Sequence, residues 1–415
     1  MGCDVIIVGG GLSGLSCARV LHKHHVSCLI LEAEDRPGGR VRTDKVEGFL
    51  LDRGFQVLQT GYPEAQTALD LNELNLHRFP AGVAVRYNGR FHIIADPRYH
   101  PTNVFSTAFS PIGGFKDRLN MLRLGRSVTR GSFEDIFVQP EEKTIDFLRR
   151  WGFSEQFIKR FFVPFFAGAC LDRSIKASSR VLKYIFRVFS SGDAALPAFG
   201  MEDIPKQLAS SLPKEIIRLN SKVVSVASGS VTLADGSCLE AKKIVLATSR
   251  PVLEKLLKLP HSGSSRGESC LYYACDWKPP FNKPFLVLNG DDSGPINNIA
   301  FPSLVSPHYA PDGKTLIAAV VLGEDHIGDP DLESKVRAQL LQWFGKGIND
   351  LRHLHTYQIA YALPNQDPPT ANPYTLPDTI TDAIRVCGEY QSLPGTQWAL
   401  LSGRKSAEAI IDELK

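Results

Sequence analysis

Asp4-Val5-Ile6-Ile7-Val8-Gly9-Gly10-Gly11-Leu12-Ser13-Gly14 is the stretch on which the reading of this chain turns. A short β-branched apolar run leads straight into a glycine turn, and Leu15 to His25 follows with helical spacing. A second apolar strand, Val26 to Leu31, comes next and Glu32 closes it. Strand, glycine turn, helix, strand and acid within about thirty residues form the dinucleotide-binding pattern. Each part has a chemical reason. Gly9 permits the tight turn, Gly11 lets the backbone approach a pyrophosphate, and Gly14 lets the helix pack on the strand. The helix N-terminus, around Leu12 and Ser13, offers N–H groups and partial positive charge to phosphates. Glu32, 18 residues past Gly14, is placed to accept hydrogen bonds from a ribose diol.

Outward from this stretch, the chain has 415 residues, 43% hydrophobic and 22% charged. That is an ordinary globular composition, with length for two or three folded units. Lys plus Arg is 47 and Asp plus Glu is 44, a net charge of +3. The balance argues against a nucleic-acid partner. The longest nearly unbroken apolar run, Phe161 to Leu171, contains Pro164 and falls well short of the roughly 20 residues of a membrane span. The 8 cysteines are scattered without a Cys-x-x-Cys pair, so they read as small core residues in a reducing compartment. With a buried-strand pattern starting at Asp4, the expectation is a cytoplasmic or plastid-stroma location, soluble or peripheral to a membrane.

After Glu32 the chain reads Ala33-Glu34-Asp35-Arg36-Pro37-Gly38-Gly39-Arg40-Val41-Arg42-Thr43, then Phe49-Leu50-Leu51-Asp52-Arg53-Gly54-Phe55-Gln56. These motifs resemble the FAD-binding signature of the flavin amine oxidase superfamily, nearest its carotenoid desaturase and protoporphyrinogen oxidase branch. The resemblance implies that Glu32 and Ala33 lie by the ribose, that Gly39, Arg40 and Val41 lie along the pyrophosphate, and that Gly54, Phe55 and Gln56 lie near the flavin ring. It assigns Val223, in the strand around Leu219–Val226, to the adenine. It assigns Gly388 and Glu389, ending a strand at Ile384, to the ribityl-phosphate. The following helix, entered through Thr396, Gln397 and Trp398, points its N-terminus at the flavin N1–C2=O locus, where reduced flavin is anionic. Ser392-Leu393-Pro394-Gly395 holds no Cys or His, so the FAD is expected to be non-covalent.

The implied fold is a Rossmann-like, α/β FAD-binding domain of the glutathione-reductase-2 type, with an α+β substrate domain inserted in two segments. The FAD-binding pieces are 1–75, 205–265 and 375–415, and the substrate pieces are 76–204 and 266–374. Val231–Leu233 with Asp235–Gly236 reads as a hairpin, and Lys243–Thr248 as a separate buried strand. Pro164 with Gly168 and Ser178 or Ser179, the Gly200-Met201…Ile204-Pro205 turn, and Ala362-Leu363-Pro364 also resemble the desaturase side. The chain is shorter than those enzymes usually are, implying a reduced substrate domain, and no lysine is matched to the one near flavin N5 in many amine oxidases.

Segment 113–130 mixes Leu119, Leu122 and Leu124 with Lys116, Arg118, Arg123 and Arg126, an amphipathic basic helix. It reads either as a core-facing helix with a solvated basic face or as a membrane-surface helix. The Phe157–Leu171 cluster and basic helices at 116–130 and 173–187 are expected on one side of the molecule, at the mouth of a substrate cavity. His22, His24 and His25, and His353 with His355, lack completing carboxylates or thiols, so no metal site is expected. No second glycine fingerprint follows a strand, which points to oxygen or a quinone as electron acceptor.

Flavin chemistry takes a hydride from a C–H bond held about 3–3.5 Å away. Three readings follow: hydride removal from a small apolar polyene or tetrapyrrole; oxidation of a small amine, with Tyr361 and Tyr374 as candidates to face the flavin; and a non-redox or structural role for FAD.

Overall fold

The computed structural model describes residues 3–95, 110–260, 265–375, 378–391 and 393–415. The opening motif folds as its pattern dictates. Strand Cys3–Val8 runs into helix Leu12–Lys23, and Cys28–Leu31 returns parallel to it. The β-branched run is buried on both faces, as a parallel strand between helical layers requires. Around this pair grows an eight-stranded sheet. Ile217–Arg218 adds beyond Cys28–Leu31 and Cys238–Leu246 beyond Cys3–Val8, both parallel. Ile384–Val386 then pairs with Val245 and its neighbours, also parallel. Val223–Ala227 and Ser230–Leu233 form an antiparallel extension. The strands thus come from three separated stretches of chain. The helix Thr396–Leu414 lies across the glycine-turn helix, where Ser16 Oγ donates to Leu400 O at 2.8 Å.

The second layer is a seven-stranded sheet, ordered Arg352–Pro364, Ser265–Cys275, Thr315–Leu322, Ile296–Ala300, Leu286–Asn289, Gly82–Tyr87 and Arg90–Ala95. One face of it shares a hydrophobic core with the first sheet's helices. Its other face packs on helix Leu332–Phe344. Helices Phe115–Val128, Thr144–Trp151, Val163–Cys170 and Ser179–Ser191 form a third lobe around Phe147, Phe162, Phe166 and Trp398.

Four expectations are corrected. Cys238–Leu246 is one continuous strand, because its first residues pair with Ser230–Thr232 and its last with the opening strand. The second basic helix begins at Ser179, not at 173. Asp172 captures the backbone N–H groups of Ser174 and Lys176, ending the previous element, and Ser178 caps the new one. The Phe157–Leu171 cluster does not form a cavity mouth. Phe157, Phe161, Phe162 and Phe166 are buried, with rings stacked at 5.1 Å between Phe157 and Phe161. The basic side chains of helix Ser179–Ser191 are half-buried and tied to neighbouring groups. Arg180 and Lys183 donate to Gln139, and Arg187 donates to the carbonyls of Val128 and Gly131.

The fourth correction concerns helix Phe115–Val128, whose buried face carries Asp117 and Asn120 beside Leu124 and Val128. Asp117 accepts from Ser154 N at 2.7 Å and from Ser154 Oγ at 2.8 Å, and Asn120 donates to Gly152 O at 2.9 Å. These bonds turn Phe115, Leu119 and Leu122 outward, with exposures of 81%, 49% and 60%. Among the described residues no helix is long and apolar enough to cross a membrane.

Candidate cofactor and active site

Two glycine turns meet at the C-terminal end of the first strands. Gly9 has φ +108°, and a Cβ there would stand 2.7 Å from Ala247 O, so only glycine makes this turn. A Cβ at Gly14 would collide with Gly9 O, which explains how closely the helix seats on the strand. At Gly11 a Cβ would meet nothing within 4 Å. Gly11 is also the helix N-cap and brings no side chain, so the first turn's N–H groups have no side-chain cap. The second turn lies alongside: Gly38 N donates to Gly10 O at 2.9 Å, and Gly39 is packed over the Gly11 Cα.

Glu32 is buried at the end of its strand, with Oε2 accepting from Gly10 N at 2.6 Å and Oε1 from Glu34 N at 2.9 Å. Its carbonyl accepts from Ser221 N at 2.7 Å, which brings the Val223 strand to the same corner. Ala33 is exposed beside it, and Val41 packs on the core below. Arg40 emerges from the second turn. Its guanidinium pairs with Glu389, donates to Ala362 O at 2.6 Å and lies 5.6 Å from the centre of the Tyr361 ring. Gln56 Nε2 donates to Arg40 O at 3.0 Å, tying the Gly54–Gln56 turn to the pair. Glu389 also accepts from Gly395 N at 2.9 Å, fixing the start of the C-terminal helix, and Gly388 N donates to Ser402 Oγ at 3.0 Å. The hydroxyls of Tyr361 and Tyr390 are buried without a hydrogen-bond partner. Burial pushes the Tyr361 hydroxyl up to about 12. A cavity of about 510 Å³, lined by Arg250, Glu254, Val386 and Tyr390, opens alongside.

The fold therefore gathers Gly9, Gly11, Gly14, Glu32, Arg40, Gln56, Gly388, Glu389 and Tyr361 around one cleft. Other candidates turn elsewhere. Gln397 accepts from Glu64 N at 2.9 Å, and Trp398 is buried against Phe137 and Tyr184. Tyr374 joins that cluster, its ring 5.6 Å from Trp398. The Gln397 and Trp398 side chains are therefore spent on the core, and Trp398 N donates to Gly395 O at 3.2 Å. Ser392 lies outside the described residues. Among the described residues no group of three His, Cys, Asp or Glu side chains is arranged to hold a metal.

Two buried acids were not singled out from sequence. Asp52 accepts from Thr43 Oγ1 at 2.5 Å, Met201 N at 2.9 Å and Tyr309 hydroxyl at 2.8 Å, and burial raises its carboxyl to about 6. This gives the Gly200-Met201 motif a structural task, clamping the Asp52–Gln56 turn. The other is Glu268, inside strand Ser265–Cys275, raised to about 7 by burial. The signal was an acid within the run Gly267–Tyr273.

An unpartnered pair of tyrosine hydroxyls, an open helix N-terminus and an arginine beside a buried carboxylate match an adenine dinucleotide's diphosphate and sugar groups. A family model described as flavin containing amine oxidoreductase matches residues 12–411. An L-amino acid dehydrogenase of Synechocystis sp. is 44% identical over 80 residues, 19% of this chain and 17% of that protein. Protoporphyrinogen oxidase 2 of Arabidopsis thaliana is 25% identical over 264 residues, 55% of this chain and 51% of that protein. The matches thus span about half or less of these relatives. Among solved structures, a candidate protoporphyrinogen oxidase from Exiguobacterium sp. 255-15 superposes with TM-score 0.73 at 16% identity, covering 99% of this chain and 98% of the other. Putrescine oxidase bound to putrescine gives TM-score 0.71 at 18% identity, covering 99% of each chain. At such identities the structures share the fold.

Proposed function

Because this chain belongs to the flavin-containing amine oxidoreductase family, we propose that it holds one FAD non-covalently and removes a hydride from a small apolar substrate of the polyene or tetrapyrrole class. The observation that carries this reading is the Arg40–Glu389 pair set between two glycine turns and an open helix N-terminus. Gly11 and the helix N-terminus would receive the pyrophosphate, Glu32 the ribose, Val223 the adenine side, and the start of helix Thr396–Leu414 the pyrimidine edge of the flavin. The bound flavin supplies the hydride-accepting chemistry. The chain's own residues position the substrate and exclude water.

An apolar substrate fits better than an amine because Tyr361 and Tyr374 sit in different clusters and do not form a paired cage. The test is anaerobic mixing of the yellow protein with a reduced tetrapyrrole or a partly saturated polyene, followed at the flavin band. Bleaching by either class supports the reading. Bleaching by small amines, with peroxide released in air, replaces it with amine oxidation. A flavin that dithionite reduces but no such substrate does has a non-redox role. Oxygen or a quinone is the proposed acceptor.

Supply of an apolar substrate motivates a peripheral membrane contact, now placed on helix Phe115–Val128 rather than on the phenylalanine cluster. Phe115, Leu119 and Leu122 form an exposed stripe at i, i+4 and i+7, flanked by exposed Lys116, Arg123 and Arg126. Apolar residues between basic ones suit an anionic lipid surface.

A further inference from the structure

Strand Ser265–Cys275 turns Glu268, Cys270 and Tyr272 to one face, since alternate residues share a side. Cys270 and Tyr272 belong to the core beneath the glycine turns, with Leu316, Ala318 and Val320 from the neighbouring strand. Glu268 is the carboxylate on this otherwise apolar surface, and it is buried. Between the pairs Arg266–Leu363 and Glu268–Ile359 the register shifts, with two extra residues on the partner strand Arg352–Pro364 opposite Gly267. A Cβ at Gly267 would press on Glu324, Ile327 and Ile359 O, each at 3.1 Å. The Glu268 carboxylate lies on the Gly54–Gln56 turn. Its Oε1 stands 2.6 Å from where a Cβ of Gly54 would be, and it accepts the Phe55 N–H. Tyr272 grips the same turn by donating to Asp52 O at 2.9 Å.

The surrounding ionisable groups give Glu268 no compensating charge. Cys270 and Tyr272, on its own strand, are pushed far up by burial and stay neutral. Across the turn, Asp52 is buried and Arg53 is engaged by Asp44. On strand Arg352–Pro364, Tyr357 donates to Asp44 and Tyr361 lies under Arg40. Glu324, beside Gly267, accepts from Ser265 Oγ. Strand Thr315–Leu322 contributes aliphatic side chains to this face.

We propose that Glu268 takes up a proton when the flavin beside the Gly54–Gln56 turn is reduced and returns it on reoxidation. This rests on the FAD reading above. Reduction by two electrons and one proton leaves one negative charge on the ring, and a like charge nearby disfavours an ionised carboxyl. Glu268 therefore draws a second proton from solvent. Two electrons and two protons enter together, one proton on the ring and one on the carboxyl. The electrons and the ring's proton come as hydride from the substrate C–H bond, and the acceptor removes them later. Glu268 is a positioning residue in this scheme, since it acts through the turn that it holds.

The test is the midpoint potential of the bound flavin between pH 5.5 and 8.5, by dye-equilibrated titration with dithionite. One proton per two electrons changes the equilibrium constant tenfold per pH unit, about 30 mV, and a second proton doubles that slope. The native protein is expected to show the single slope below about pH 7 and the doubled slope above it. Glu268→Gln keeps an oxygen for the Phe55 N–H and is expected to keep its flavin and show the single slope throughout. A single slope in the native protein overturns the proposal, and so does a doubled slope that survives in the variant. Should the variant fail to fold, the native slope decides alone. A protein that binds no FAD overturns the FAD reading with it, whereas a yellow protein with a single slope overturns only the role of Glu268.

Discussion

At the scale of single residues, the buried acids make the most quantitative claims. Glu268 titrates near pH 7 in the folded chain against an ordinary 4.5. The folded state therefore binds the extra proton, and its stability falls as pH rises through that interval. At about 1.36 kcal/mol per unit, the burial costs on the order of 3 kcal/mol above pH 7. Glu268→Gln is expected to match the native protein below pH 4.5 and to melt at a higher temperature at pH 8. Equal melting temperatures at both pH values contradict this. Asp52, raised from 3.8 to about 6, adds loss of the same sign at lower pH. Glu32 makes the opposite case, a carboxylate that the proposed reading gives to the ribose. Removing a charged hydrogen-bond acceptor costs about 1–3 kcal/mol, so Glu32→Ala should weaken FAD binding by roughly tenfold to a hundredfold in a fluorescence titration of the stripped protein.

Elements show which parts of the structure could be read in advance. The opening strand, glycine turn and helix were legible because their signals are local: a β-branched run, a turn needing φ > 0, and helical spacing. The orientation of helix Phe115–Val128 was not legible. Its inward face joins Leu124 and Val128 to Asp117 and Asn120, which reach Ser154 and Gly152 on another element and leave Leu119 and Leu122 outside. Glu268 escaped notice for a similar reason, since it is buried against a turn far away in sequence. The same helix supplies a clean experiment. Leu119→Glu with Leu122→Glu changes exposed positions, so stability should stay within about 0.5 kcal/mol for each. Flotation with anionic liposomes at low salt should be lost. If the native protein itself does not float, the membrane contact is wrong.

For the whole molecule, the resemblance read in four short motifs extends over the matched residues 12–411, while the substrate was not legible, because pocket shape sets it and local motifs do not carry that shape. In the proposed reading the glycine-turn site takes FAD, and the sequence carries no second glycine fingerprint after a strand. NADPH is thus expected not to bleach the flavin anaerobically, and rapid bleaching would reveal a site outside this account. Acid precipitation should leave a white pellet and a yellow supernatant; a yellow pellet contradicts non-covalent binding. The three-part origin of the first sheet has a consequence for biogenesis. Cys3–Val8 must wait for Cys238–Leu246, and that strand must wait for Ile384–Val386 near the end of the chain. Pairings this remote close large loops and slow folding. At about 5–20 residues per second, the ribosome holds the opening strand without its neighbour for ten seconds or more. During that time the β-branched run Val5–Val8 is an exposed, aggregation-prone edge, a natural client for a chaperone until the last helix has been synthesised.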